Sequence, residues 1–109
     1  GLGWVGFSYA EQSDVVRMLA VAAEPGGDCV SPTVDTVRDG SYPIARTLFV
    51  YVSAAAADRA EVAAFVDFYL DGLPDFLAAT DYVARTEADQ AATRDRWEAR
   101  TTGSEHEAG

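Results

Sequence analysis

Between residues 58 and 73 the apolar side chains recur at one spacing only. Val62, Phe65, Val66, Tyr69, Leu70 and Leu73 fall at i, i+3, i+4, i+7, i+8 and i+11, which lines one side of an α-helix and fits no strand. Such a helix has to lay its stripe on a second layer of structure. Asp58 with Glu61 three residues later resembles a capping box at its start, and Gly72 with Pro74 predicts its end. A shorter helical piece is predicted over 75–80.

The candidates for the second layer are strand-like runs. Residues 4–10 are apolar, aromatic and flanked by glycine, and 47–52 read TLFVYV; β-branched and aromatic content predicts a strand in each. The apolar residues of 14–23 fit a short helix or a strand, and a strand is favoured over 17–21. EPGGD, residues 24–28, is a turn signal. In SPTVDTVRDG, residues 31–40, Ser31 suits a cap, Pro32 the first helical position and Gly40 the left-handed residue after the helix. Residues 86–100 predict a last helix with Thr86 as cap and a thin packing stripe of Ala88, Ala91, Ala92 and Trp97. The remaining residues, 101–109, are expected to be a flexible tail. Strands interleaved with helices make the class α/β.

Length and charge narrow the function. At 109 residues the chain is one domain or part of one, and 49% hydrophobic with 24% charged residues is a globular composition. The apolar opening GLGWVGFSYA reads as a buried strand and carries the expectation of further chain upstream. A net charge of -10 leaves no clustered cations for a phosphate backbone, so a nucleic-acid partner is not expected. All eight cations are arginine, a bias that GC-rich coding or a salt-adapted surface would each produce. No apolar run reaches the length of a membrane span.

Catalytic chemistry finds little to work with. Cys29 is the one cysteine and His106, in the tail, the one histidine, so neither a Cys/His nucleophile nor a metal site is expected; Cys29 reads as a small buried or half-buried residue. GLGWVG has the glycines of a dinucleotide-binding turn, but Phe7, Ser8 and Tyr9 read as strand rather than as the required helix, and no cofactor is expected. Asp67 and Asp71 lie one turn apart on the polar side of the main helix and read as a solvated face. The chain is not expected to be an enzyme. What remains is DGSYPIARTLFVYV, residues 39–52: a turn, a proline, an arginine, then the strand. Arg46 there has the chemistry to pair with a carboxylate or an anion.

From these residues outward, the chain resembles the C-terminal part of the phosphate-binding proteins of ABC transporters, members of the two-lobed periplasmic binding protein superfamily. GLGWVGFSYA, CVSPTVDTVRDGSYPIARTLFVYV, VAAFVDFYL and TDYVAR resemble successive segments of that family in its own order. Asp81 and Ala84 stand where relatives often carry glycine and proline, and Thr47 where proline is common. The resemblance implies a two-lobed α/β fold of which residues 1–100 form a C-terminal portion. It implies a solute-binding component that takes phosphate or a similar oxyanion and passes it to an ABC permease, outside the cytoplasm, in a periplasm or as a cell-surface lipoprotein. The family holds its anion mainly by upstream loops that this sequence lacks. Local candidates are the helix start at 31–33 and, near the hinge or cleft, Ser41, Tyr42 and Arg46. A stand-alone interaction module without ligand, or a receptor for another oxyanion such as sulfate or molybdate, are the competing readings.

Overall fold

The computed structural model describes residues 1–104, and among them four helices form: α1 (Phe7–Glu11), α2 (Val34–Arg38), α3 (Ala60–Ala78) and α4 (Glu87–Glu98). The chain divides into two units, Gly1–Leu48 with Ala79–Ala84, and Phe49–Ala78 with residues 85–104. His106 lies outside the described residues, as do the last five positions of the expected tail.

In the first unit the expected strand near 17–21 is reduced to one antiparallel bridge. Val21 and Val30 exchange both N–H···O bonds at 2.9 Å, and the turn between them closes through Gly27 N–H to the Glu24 carbonyl, with Gly26 at φ +81°. The expected strand at 4–10 is also corrected: residues 7–11 form the short helix α1, whose first turn closes from Tyr9 and Ala10 onto the Gly6 carbonyl. A helix therefore does follow the glycines, but it is five residues long and no strand precedes it among the described residues.

α2 begins two residues later than expected. Thr33, not Ser31, is its cap: Thr33 Oγ1 accepts from Thr36 N–H while Thr36 Oγ1 accepts from Thr33 N–H at 2.8 Å. Pro32 thus precedes the cap instead of opening the helix, in keeping with the preference for extended backbone around an X-Pro bond. Gly40 takes the left-handed φ of +78° after the helix end, as its position predicts.

In the second unit α3 runs past both expected stops. It starts at Ala60 and carries Pro74 inside it, so the predicted piece at 75–80 is its continuation to Ala78; the proline costs one backbone bond without ending the helix. Val66 on α3 and Ala57 before it are the buried hydrophobic residues, at 7% and 6% exposure. Val66 supplies about 2 kcal/mol by its burial. Residues 47–52 take no regular structure; Leu48, Phe49, Val50 and Tyr51 are all exposed, and no described strand offers them a ladder. High β-propensity without a paired neighbour does not make a strand. The interleaved strands expected of an α/β class are thus absent from the described residues, and what forms is mainly helical.

α4 starts as predicted, with Thr86 Oγ1 accepting from Asp89 N–H and donating to Asp89 Oδ2 at 2.8 Å. Its packing differs from the expected alanine stripe: Ala88, Ala91 and Ala92 are exposed. It meets α3 through polar groups instead. Trp97 Nε1–H donates to Asp67 at 2.7 Å, and Arg94 pairs with Asp71. The two aspartates read as a solvated face are therefore the docking points of α4. The helix ends on Arg100 at φ +54°, where Thr101 N–H returns to the Arg96 carbonyl at 3.0 Å; this is a Schellman closure with arginine in the place glycine usually takes.

Candidate functional site

The stretch singled out by its sequence, residues 39–46, is a tied turn of the first unit. Asp39 ends α2, and its Oδ1 accepts from Ser41 N–H at 2.8 Å, an Asx turn. The Ser41 side chain and then its N–H hold the Asp39 carboxyl below the usual carboxylate range. Gly40 supplies the left-handed step, Tyr42 N–H returns to the Thr36 carbonyl at 2.9 Å, and Ala45 N–H returns to the Tyr42 carbonyl at 3.1 Å. The Tyr42 hydroxyl reaches the Leu19 carbonyl at 3.4 Å, which ties the turn to the segment before the Val21–Val30 bridge. Arg38, at the end of α2, donates from Nε to the Ala84 carbonyl at 3.0 Å, fixing the other flank.

These bonds sort the expected site residues. Ser41 and Tyr42 spend their polar groups on the protein itself. The N–H groups of Thr33 and Thr36 at the helix start are satisfied by each other's hydroxyls, so neither of these two is free for an anion. Arg46 differs: it is exposed and has no hydrogen-bond or ion-pair partner among the described residues. Arg17 is in the same condition, in the same unit. Arg38, Arg59, Arg85, Arg94 and Arg100 are each paired with a carboxylate. The sequence pattern marks Arg46 and does not mark Arg17. Its signal was its setting, an extended run where no helical turn offers a carboxylate to it.

The chemistry available is electrostatic. An exposed guanidinium on a fixed turn offers a planar fork for a carboxylate or another oxyanion. No group of three metal-binding side chains occurs among the described residues, and no described helix is long and apolar enough to cross a membrane. Cys29 is exposed, not buried or half-buried as expected.

Comparison with known proteins points in one direction. The chain is 34% identical over 104 residues to protein SphX of Synechococcus elongatus, a match that takes in 94% of this chain and 31% of that relative. It is 39% identical over 71 residues to protein SphX of Synechocystis sp., 63% of this chain and 21% of the relative. It is 30% identical over 89 residues to the phosphate-binding protein PstS of Staphylococcus aureus, 80% of this chain and 27% of the relative. The chain therefore spans about a third or less of the length of the curated relatives it matches. No family model matches it, and no solved structure matches it with significance.

Proposed function

We propose that the chain is a portion of the phosphate-binding component of an ABC-type uptake system, acting outside the cytoplasm and delivering its ligand to a membrane permease. Within that protein residues 1–100 form a C-terminal portion and 101–109 trail from it. Catalysis has no part in this function: capture comes from closure of two lobes around the anion. The single observation that carries the proposal is the relation, over most of this chain, to SphX and to a relative named as a phosphate-binding protein.

The tied turn assigns roles within that reading. Ser41 and Tyr42 shape the path from α2 toward residues 47–52 and do not reach for ligand. Arg46, which like Arg17 keeps its guanidinium unpartnered among the described residues, is in this reading the side chain of that stretch that faces the cleft. In a chain with net charge -10, the overall field repels an oxyanion, so binding depends on local donors. Most of those donors belong to the remainder of the longer protein.

The test uses a hybrid, the Synechococcus SphX with its matched stretch replaced by this chain. Calorimetric titration is expected to give saturable heat with phosphate and none with sulfate. A folded hybrid that stays silent up to millimolar phosphate overturns the proposal, and an equal response to sulfate replaces phosphate with a broader oxyanion class.

A further inference from the structure

α3 is apolar on more sides than its surroundings cover. At about 100° per residue, Asp67 and Asp71 fall on one side, which meets Trp97 and Arg94 of α4. Val66 lies on a second side and is buried. Phe65, Phe68, Gly72 and Phe76 share a third, within an arc of about 80°. There Phe65 and Phe68 are each 65% exposed and Phe76 is 40% exposed.

These aromatics form one surface. The Phe76 ring lies 5.7 Å from that of Phe68 at 50°. A Cβ at position 72 would come within 2.5 and 2.6 Å of Phe76 ring atoms, so it is the glycine that lets this ring lie along the helix toward Phe68. Phe65 lies about one turn before Phe68 on the same side of the helix, so the three exposed rings share one face. Helices apolar on this many sides are buried ones, and contiguous apolar patches mark contacts.

Charge and length select what covers the ridge. Beside the ridge α3 offers only acidic side chains, Asp75 at its edge and Glu61 within its arc with Arg59 as partner, and the whole chain carries -10; a second copy would bring like charge to the same rim. The Synechococcus relative, by contrast, has most of its length outside the matched 104 residues, which are 31% of it. We infer that the Phe65–Phe68–Phe76 ridge of α3 is a seam that receives an apolar, basic-rimmed face of the polypeptide which the relatives carry outside the matched stretch. The inference rests on the chain being a portion of a longer binding protein.

One pair of substitutions in two settings tests it. In the chain alone, Phe65→Ser with Phe68→Ser should leave helicity unchanged, because both rings already face solvent. In the hybrid the same pair should lower the melting temperature by about 5 °C or more, since it then removes buried rings, and Phe65→Leu with Phe68→Leu should restore most of the loss. Equal shifts in the two settings overturn the inference, as does a hybrid that does not fold with the ridge intact. So does a dimer of the lone chain that the serine pair abolishes, since that makes a second copy the occupant. Phosphate titration of the same hybrid keeps the two readings apart. A ridge effect without phosphate heat retains the seam and removes the proposed ligand; phosphate heat with a ridge-insensitive melt does the reverse.

Discussion

Replacing Trp97 with phenylalanine probes the contact that holds α4 to α3. The substitution removes the Nε1–H that donates to Asp67 at 2.7 Å, and it weakens the surface over which the Arg100 guanidinium lies at 3.8 Å from the ring centre. A hydrogen bond to a charged acceptor contributes about 1.5–3 kcal/mol net, and partial exposure of both partners brings this to the lower end. With a small part of the cation–π attraction added, the loss is about 1–2 kcal/mol. No apolar stripe compensates, because Ala88, Ala91 and Ala92 face solvent. Amide hydrogen exchange reads local opening without requiring one global transition. Exchange across the last two turns of α4 should quicken by about five- to thirtyfold, the ratio that one or two kcal/mol represents. Asp67→Ala should quicken it similarly, and the double variant should add little to either. Exchange within about twofold of the parent, or strict additivity of the two substitutions, would refute the polar docking of α4.

Other expectations follow from the caps and the turn. Thr33→Ala removes both the acceptor for Thr36 N–H and its hydroxyl contact with Thr36; it should cost about 1 kcal/mol of local stability in α2, seen as faster exchange at residues 36–38. Arg100→Ala keeps a left-handed non-glycine residue and loses the contacts to Asp58 and Trp97, whereas Arg100→Gly loses the contacts and relieves the backbone. The alanine variant should therefore open the end of α4 more readily by about 1 kcal/mol, again by exchange. The Asp89 carboxyl is held below its usual range by the Thr86 hydroxyl and then by Arg85, and Asp39 by Ser41. Both carboxyls are depressed in the folded state, so their contributions are complete above the ordinary carboxylate range and fade as pH falls through their folded values. Helicity should be flat from about pH 8 to 5, and the α4 start should loosen only in stronger acid; loosening on the alkaline side would contradict the assignment.

How far the fold was legible depended on whether the deciding interaction was local. The Thr86 cap and the left-handed Gly40 are settled within a turn of chain, and the sequence pattern placed both correctly. Gly72 and Pro74 looked like a helix stop by the same local logic. In place, Pro74 is tolerated inside α3 and Gly72 makes room for the Phe76 ring, a packing reason invisible to a punctuation rule. The runs at 4–10 and 47–52 failed as strands for the opposite cause. A strand is a property of a pair, and TLFVYV carries the propensity while no described neighbour supplies the ladder. At the site, the Asp39–Tyr42 turn was recognisable from its residue types. That its hydroxyls and amides are consumed internally, while Arg46 and Arg17 have no partners among the described residues, depends on contacts across some twenty residues such as Tyr42 to Leu19.

The central claim is that this chain takes part in phosphate binding only as a portion of a longer receptor. The most direct measurement is calorimetric titration of phosphate into the 109-residue chain and, in parallel, into the hybrid with the Synechococcus relative. The account predicts no heat from the chain alone and a saturable, sulfate-insensitive response from the hybrid. Saturable phosphate binding by the chain alone, or a folded hybrid that gives none, would contradict it.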